Sequence, residues 1–316
     1  IENNGYKITI EDERQHFDFN FEQVTDEYFS HIVWPKGHTH EGQAIKLRDY
    51  QVQVINDFIA NPQSLQEIAT GAGKTIITAA LSKMCEQFGR TIVIVPNKSL
   101  VTQTEEDYKN VGLDVGVYFG ERKELGHTHT ICTWQSLNIL NKNTKKDQAE
   151  FPIEEFIKDV NCIMVDEVHM AKADVLKSLL TGPFSNIPIR WGLTGTVPKE
   201  EYEKMSLICS LGTVINQLSA SELQDKGVLA NCHVNIIQTQ DINSFRTYQE
   251  EVSYLTTNSE RLKFLSNLID DVRSGGNTLV LIDRIKSGEM LQELIPGSVF
   301  IQGKTKNEDR EEEYGE

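Results

Sequence analysis

Thr70-Gly71-Ala72-Gly73-Lys74-Thr75 is the stretch of sequence that decides the fold. Glycines allow backbone N–H groups to approach a bound phosphate closely because no Cβ atom intervenes, and a following helix points the positive end of its dipole at the same place. Apolar residues recur at helical spacing after the loop, at Ile77, Leu81, Met84 and Phe88. The stretch therefore predicts a phosphate-binding turn that opens a helix in an α/β protein.

Two side chains of this loop carry distinct chemistry. Lys74 is expected to reach the β- and γ-phosphates of a nucleoside triphosphate, and the Thr75 hydroxyl is expected to bind Mg²⁺. The predicted cofactors are therefore ATP and Mg²⁺, and the predicted nucleotide-binding residues of the loop are Thr70, Gly71, Ala72, Gly73, Lys74 and Thr75.

A second element supplies the carboxylates that hydrolysis of a triphosphate requires. The apolar run at residues 162–165 predicts a buried strand, and Asp166, Glu167 and His169 follow it directly. Asp166 is expected to hold Mg²⁺, and Glu167 is expected to orient or deprotonate the attacking water. Together with Lys74, these residues form the predicted catalytic group.

The pattern along the chain predicts a doubly wound parallel sheet. Apolar or β-branched runs at residues 91–95, 130–132, 162–165 and 189–193 alternate with helical stretches, which is typical of a parallel sheet covered on both faces. We predict an accessory segment at residues 1–44, an α/β domain at 45–215, and a linker with the start of a second α/β domain at 216–316. Strands near residues 233–238 and 278–282 are expected in that last part.

Composition narrows the possible partners. The chain has 316 residues and a formal net charge of −16, and it contains no long apolar run that would span a membrane. Such a charge argues against indiscriminate binding of a polyanion, although contacts through backbone N–H groups and helix N-termini still allow a nucleic-acid motor. We expect a cytoplasmic protein without a membrane partner.

Two further segments extend the nucleotide site. In the segment at residues 47–51, Arg48, Tyr50 and Gln51 are suited to read the adenine base, because an amide donates and accepts hydrogen bonds at once. An amphipathic helix with chance polar residues is the alternative interpretation. Thr194 and Thr196 follow a predicted strand and are expected to sense the γ-phosphate, although an ordinary turn explains them equally well.

Polar residues also follow two other predicted strands. Their hydroxyl and amide side chains suit the phosphate oxygens of a nucleic acid. Trp134 would add a surface for base stacking, or it would pack in the core. The predicted nucleic-acid contacts are Pro96, Asn97, Lys98, Ser99, Gln103, Thr133, Trp134 and Gln135.

The order of these segments resembles that of superfamily 2 helicases and translocases. In the terms of that family, Gln51 lies in the adenine-reading motif, residues 70–75 are motif I in its TGxGKT form, residues 166–169 are motif II as a DEVH box, and residues 194–196 are motif III. Residues 96–103 and 133–137 look like motifs Ia and Ib. A closer resemblance, to phage recombination helicases, rests on residues 132–136, 191–196, 247–251 and 258–261.

This resemblance implies two RecA-like domains, the second incomplete, and ATP-driven remodelling of branched DNA by branch migration, fork regression and unwinding of displacement loops or R-loops. The family's motif V and its arginine-rich motif VI have no match in the sequence. The resemblance therefore implies a fragment that binds nucleotide but hydrolyses it weakly, because the motif VI arginines stabilise charge on the transferred phosphoryl group.

Alternatives of two classes stay open from the sequence. An RNA helicase, a duplex translocase of a restriction system and an XPB-like repair helicase would share the same motifs. A P-loop kinase or nucleotide switch would share only the phosphate loop and the acidic pair, and it would have no use for the segment around Gln51.

Overall fold

The computed structural model describes residues 5, 7, 9, 19–170, 173–240 and 242–305. The chain divides into two compact units, Ile1–His233 and Val234–Glu316. Parts of the predicted segments 1–44 and 216–316 lie outside the described residues. Within the described part of the chain, no helix has the length and apolar character that crossing a membrane requires.

The first unit is built on an eight-stranded sheet with the order β4-β3-β5-β2-β6-β7-β1-β8. Every strand pair is parallel except β3 with β4. The strands are β1 Gln63–Ile68, β2 Arg90–Val95, β3 Val115–Phe119, β4 Arg122–Lys123, β5 His129–Thr133, β6 Val160–Val165, β7 Ile189–Thr194 and β8 Thr213–Leu218.

Helices cover both faces of this sheet. They are α1 Asp49–Ala60, α2 Lys74–Cys85, α3 Lys98–Asn110, α4 Trp134–Lys145, α5 Ile153–Phe156, α6 Ala173–Leu180, α7 Glu201–Leu211 and α8 Ala220–Asp225, with a 3₁₀ turn at Val168–Met170. Alternate residues of β2 enter opposite cores: Val93 and Val95 pack with α1, α2 and α3, whereas Ile92 and Ile94 pack with α4, α6 and α7. The predicted doubly covered parallel sheet is confirmed.

The first unit extends on both sides of the predicted 45–215 domain. Strand β8 pairs with β1, and Leu223 of α8 is fully buried in the same core as α1 and α2. On the N-terminal side, Phe29 and Ile45 are buried in that core, and the Asn56 side chain exchanges hydrogen bonds of 2.9 and 3.0 Å with the backbone of Val24.

The second unit contains α9 Tyr248–Thr257, α10 Ser259–Arg273 and α11 Ile285–Leu294. The prediction of strands near residues 233–238 and 278–282 is wrong, because the described residues form no strand there. A strand persists only when a neighbouring strand satisfies its backbone groups. Here Ile236, Leu279 and Leu281 are largely exposed instead.

The buried Arg190 side chain forms hydrogen bonds with the segment that connects α6 to β7. Arg190 is 8% exposed, and its guanidinium donates to the carbonyl oxygens of Phe184, Ile187 and Ser210 at 2.9, 2.9 and 3.2 Å, and also to that of Ser185. Burial lowers the pKa of this side chain. The guanidinium thus donates to four carbonyl groups, of which that of Phe184 also accepts from the Ile187 backbone N–H at 3.1 Å.

We expect Arg190→Met to lower the free energy of unfolding by about 3 kcal/mol, because it removes the buried guanidinium that donates to four carbonyl groups. Urea denaturation of the chain measures the loss. Lys204→Met removes a positive charge from an exposed position of α7 and serves as the control. A loss for Arg190→Met no greater than that of the control would contradict the assignment.

Candidate nucleotide site and the adjoining strand-end loops

The phosphate loop connects β1 to α2 at the carboxyl edge of the sheet. Gly71 and Gly73 adopt φ angles of +84° and +78°, which L-residues other than glycine adopt only with strain, and α2 begins at Lys74. The backbone N–H groups at the start of α2 have no carbonyl partner within the helix. The predicted loop therefore has the conformation of a phosphate-binding turn.

The Gln51 segment holds this loop from the side. The Gln51 amide nitrogen and the Tyr50 hydroxyl both donate to the Ala72 carbonyl, at 3.0 and 2.9 Å. The Gln51 amide oxygen accepts from the Arg48 backbone N–H at 2.9 Å. Both ends of the amide thus fix the loop, and the reading of adenine by Arg48, Tyr50 and Gln51 stays a prediction.

The space around Gly73 shows how closely the Gln51 segment packs on the loop. A Cβ atom at Gly73 would lie 2.7 Å from the Gln51 amide nitrogen, whereas Gly112 has a similar φ of +76° and no atom within 4 Å of its Cβ position. Gly112→Ala should therefore cost only the left-handed backbone strain, roughly 1–2 kcal/mol. Gly73→Ala should in addition displace the amide from Ala72.

We expect Gly73→Ala to weaken ATP binding on the order of tenfold, equivalent to about 1.4 kcal/mol. Gly112→Ala should leave the affinity unchanged at a similar loss of stability. Titration with a fluorescent ATP analogue and urea denaturation of both variants separate the two effects. Equal ATP affinities would show that the loop does not depend on Gln51.

Lys74 and the acidic pair, Asp166 and Glu167, lie close together at this loop. Lys74 is 8% exposed, and its Nζ lies 2.8 Å from Glu167 Oε1 and donates to the Ile68 carbonyl at 3.3 Å. Glu167 has a φ of +48°, an uncommon conformation for a residue with a side chain. Such a backbone outlier at the end of β6 is typical of functional sites, where surrounding contacts hold it in place.

Asp166 is suited to hold a cation. Burial raises the pKa of its carboxyl to about 6, an effect that neighbouring Glu167 increases and Lys74 opposes. A buried carboxylate is costly unless a cation compensates it, and oxygen ligands are those that Mg²⁺ prefers. Asp166 and the Thr75 hydroxyl therefore fit the predicted metal ligands in chemistry.

A hydrogen-bond network joins the acidic pair to the end of β7. His169 Nδ1 lies 2.8 Å from Thr194 Oγ1 and 3.4 Å from Glu167 Oε2. Thr194 Oγ1 donates to the Thr196 carbonyl at 2.9 Å, and the Gly195 N–H donates to Glu167 Oε2 at 3.3 Å. Because the Thr194 hydroxyl donates its proton to the Thr196 carbonyl, it can only accept a hydrogen bond from His169. The network therefore indicates that Nδ1 of His169 carries a proton.

Thr70 lies beside this network. A Cβ atom at Gly195 would be only 3.1 Å from Thr70 Oγ1, so the phosphate loop and the end of β7 are in close contact. The structure thus brings the predicted residues of the loop, the DEVH segment and the TGT segment together at one place.

The predicted nucleic-acid contacts lie at the same edge of the sheet, after β2 and β5. These strands are neighbours, with Val95 opposite Thr133. Asn97 and Thr133 begin α3 and α4 by accepting hydrogen bonds from the backbone N–H groups of Leu100 and Ser136. The remaining positions divide by exposure: Lys98, Ser99, Gln103 and Gln135 are exposed, Pro96 is buried and Trp134 is half-buried.

A hydrogen bond connects these two loops. The Gln135 amide donates to the Pro96 carbonyl at 3.3 Å. Trp134 packs against the core on the α4 side of the sheet, so the structure favours the packing role over base stacking for this residue. The exposed polar residues share one surface and stay predicted contacts.

Two contributors to the site have no sequence signal. Leu229, which follows α8, lies so close to the loop that a Cβ at Gly71 would be 2.7 Å from its Cδ2. Lys226 lies 5.8 Å from the centre of the Tyr50 ring and 3.4 Å from Asp49. These contacts join segments that are distant in sequence, and no motif marks them.

The N-terminal segment contributes a wall to a cavity of about 330 Å³ next to the loop. Trp34 and His38 are stacked with ring centroids 3.9 Å apart at its rim. The lining of the cavity is completed by Pro35, His40, Ile45, Lys46, Arg48, Gln51, Gly71, Gly73, Thr75, Ile76, Ala79, Asp107, Asn110 and Val111. Arg48 and Gln51 thus face a space that adjoins the phosphate loop.

Residues 44–199 match the model of a family described as type III restriction enzyme, res subunit. The chain is 22% identical to the ATP-dependent DNA helicase uvsW of Enterobacteria phage T4, over 98% of this chain and 62% of that relative. It is 27% identical to a putative DNA 3'-5' helicase Rad25 of Haloarcula marismortui, over 86% of this chain and 43% of the relative.

Solved structures agree on the fold. Two crystal structures of T4 UvsW superpose with a TM-score of 0.53 at 20% identity; one match covers 68% of this chain and 74% of the other, and the second covers 99% and 63%. The predicted resemblance to superfamily 2 helicases, and to UvsW among them, is confirmed. The chain spans 62% and 43% of the lengths of these two relatives.

Proposed function

We propose that this relative of superfamily 2 helicases is an ATP-driven DNA helicase or translocase motor that remodels branched DNA in recombination and repair. One observation carries the proposal: Lys74, Glu167 and Thr194 form a connected network at the same sheet edge as the exposed loops after β2 and β5. A kinase would need the first group of residues but not the second.

The chemistry follows from the positions of the side chains. The turn at residues 70–73 and the start of α2 would bind the phosphates through backbone N–H groups, with Lys74 as the fixed cation. Thr75 and Asp166 would hold Mg²⁺, which neutralises phosphate charge and orients the triphosphate. Glu167 would position the attacking water and accept its proton.

The network beyond Glu167 offers a route for coupling. Loss of the γ-phosphate would change the charge next to Glu167, whose Oε2 contacts both the Gly195 N–H and His169. His169 in turn contacts Thr194, at the end of β7. We infer that this chain of contacts relays the state of the nucleotide to the loops that hold the nucleic acid.

DNA is the proposed substrate because the relatives named above are DNA helicases by name. Branched DNA, including forks, displacement loops and R-loops, is proposed from the resemblance to the phage recombination enzyme. The chain has a net charge of −16, so its binding of DNA should depend on the few loops that carry basic and amide side chains. Because such contacts are made to the DNA backbone, the sequence preference should be weak.

The test is ATP hydrolysis by the chain with single-stranded DNA, duplex DNA, a four-way junction and RNA at one ionic strength. We expect DNA to stimulate hydrolysis and the junction to stimulate it most. Stimulation by RNA alone would favour an RNA helicase, and equal stimulation by plain duplex would favour a duplex translocase. ATP binding without any response to nucleic acid would favour a kinase or switch and would overturn the proposal.

A further inference from the structure

Helix α4 carries an exposed stripe that begins at a predicted nucleic-acid contact. Gln135, Ile139, Lys142 and the C-cap residue Lys146 are spaced four, three and four positions apart, which places them on one side of the helix. All four are exposed, whereas Leu137, Leu140 and Asn141 on the opposite side are buried. At 1.5 Å per residue the stripe is about 16 Å long.

The two lysines of this stripe are exposed to solvent. Among the described residues, neither Lys142 nor Lys146 lies within ion-pair distance of a carboxylate, although acidic residues outnumber basic ones by 47 to 31. A lysine at a helix C-terminus is favourable for the helix dipole alone. Lys142 and Lys145 both lie in the last turn of α4 and satisfy that preference. Lys145 projects from a different side of the helix, about 80° from the stripe by the 100° step of a helix, whereas Lys142 lies on the stripe.

A cavity of about 140 Å³ lies directly beside the stripe. Ser136, Ile139 and Asn143 of α4 form one side of it, and the other side includes Tyr118, Phe119 and Phe151. A cavity of about 150 Å³ is large enough for a benzene ring. The space therefore suits one flat ring system, with hydroxyl and amide groups at its edge.

The cavity lies near one residue of the predicted DNA-contacting loops, Lys98. The Lys98 ammonium lies beside Gly120, 3.5 Å from the position of a Cβ there, and Gly120 lines the cavity. Glu150 is the acidic group at the rim, and Lys123 lies 3.6 Å from it. A polyanionic strand would therefore meet Lys98 on one side of the cavity and Lys142 on the other.

We propose that α4 is a binding track for single-stranded DNA, with phosphates on Lys142 and Lys146 and one unstacked base in the cavity between α4, the β3–β4 turn and Phe151. The inference rests on the proposed function and extends it to a subsite for one base. Base stacking on aromatic residues combined with lysines along the backbone is the usual means of holding a single strand without reading its sequence.

The lysines are tested by fluorescence anisotropy with labelled oligothymidine at several KCl concentrations. Each lost phosphate contact should reduce the slope of log affinity against log salt by roughly 0.7 for a single strand. Lys142→Ala with Lys146→Ala should therefore reduce it by about 1.4. Lys145→Ala removes the same charge from the same helix but off the stripe, and it should leave the slope unchanged.

The cavity is tested with an oligonucleotide of equal length that lacks its bases. Ala149→Leu narrows the cavity, and Ile139→Glu places a charge at its exposed rim without touching the core. Either change should weaken oligothymidine binding on the order of tenfold and leave binding of the abasic strand unaltered. ATP affinity and the thermal midpoint of each variant verify that the fold is intact.

Three results would overturn the inference. The first is a reduction of the slope by Lys145→Ala that is at least half of the reduction caused by Lys142→Ala combined with Lys146→Ala. The second is equal affinity of the unaltered chain for natural and abasic strands, and the third is tighter binding of oligouridine than of oligothymidine. If the unaltered chain bound no nucleic acid, the proposed function would fail with the inference; if it bound DNA but every α4 variant behaved like it, only the inference would fail.

Discussion

Lys74→Ala is expected to weaken ATP binding by on the order of a hundredfold or more and to abolish hydrolysis. Lys74 is a buried cation held in place by Glu167 Oε1 at 2.8 Å and the Ile68 carbonyl at 3.3 Å, directly above the phosphate loop. Removing it deletes the positive charge that the phosphates would contact. It also leaves two neighbouring carboxylates without a counter-charge, which disfavours a polyanion still further.

Lys83→Ala is the matched control for this prediction. Lys83 lies on the same helix, is substantially exposed and pairs with Glu86 at 2.7 Å. Its loss should leave both ATP affinity and hydrolysis unchanged, because an exposed pair of this kind contributes little. Titration with a fluorescent ATP analogue and release of inorganic phosphate are the two measurements.

Lys74→Arg separates charge from shape. It retains the positive charge in a larger planar group, which does not reproduce the compact ammonium between Glu167 and the loop. We expect it to fold like the unaltered chain and to lose hydrolysis. Normal ATP consumption by either Lys74 variant would remove the basis for assigning a nucleotide site here.

The strands that carry the site could be predicted from sequence because they are buried and most of their residues are apolar or β-branched, although β7 also contains Arg190 and Gly192. The run at residues 91–95 became β2 at Arg90–Val95, and the run at 189–193 became β7 at Ile189–Thr194. Both faces of these strands are covered, so the continuous apolar and β-branched run of β2 was a sufficient signal, whereas the β7 run is interrupted by Arg190. The polar residues at their ends then had to meet at one edge.

Strand β1 had no such signal, although it delivers the phosphate loop. Its residues include Gln66 and Glu67, which a sheet interior normally excludes. Gln66 is buried because its amide donates to the Val54 carbonyl at 2.8 Å, and Glu67 Oε1 accepts from the Val197 N–H at 3.3 Å. Those partners come from distant parts of the chain, so periodicity alone could not have found this strand.

At residues 278–282 the error is the opposite one: a strand was predicted, and the described residues do not form it. The local pattern of this region is strongly that of a strand, yet Leu279 and Leu281 are 70% and 87% exposed, and no described segment pairs with it. Local propensity sets only what a segment tolerates, whereas a strand needs a neighbour to satisfy its backbone. The same limit applies to Leu229 and Lys226, whose contacts with the phosphate loop and the Gln51 segment depend on tertiary packing alone.

Glu167→Gln should separate nucleotide binding from hydrolysis. The amide has the size of the carboxyl and can still accept from the Gly195 N–H, which donates to Glu167 Oε2 at 3.3 Å. It cannot take a proton from water at neutral pH. We therefore expect kcat to fall by roughly 10² to 10⁴ while ATP affinity stays the same or increases, since a negative charge near the phosphates is removed.

The measurement is single-turnover hydrolysis of ATP with saturating protein and DNA, together with equilibrium binding of the fluorescent analogue. Glu154→Gln, at an exposed position of α5, has the same change in charge and should behave like the unaltered chain. Asp166→Asn should differ from Glu167→Gln by losing Mg²⁺-dependent ATP binding as well, because its carboxyl is the proposed metal ligand. If Glu167→Gln weakened ATP binding and left kcat intact, Glu167 would be a structural partner of Lys74, and the catalytic base would have to be sought elsewhere at this edge of the sheet.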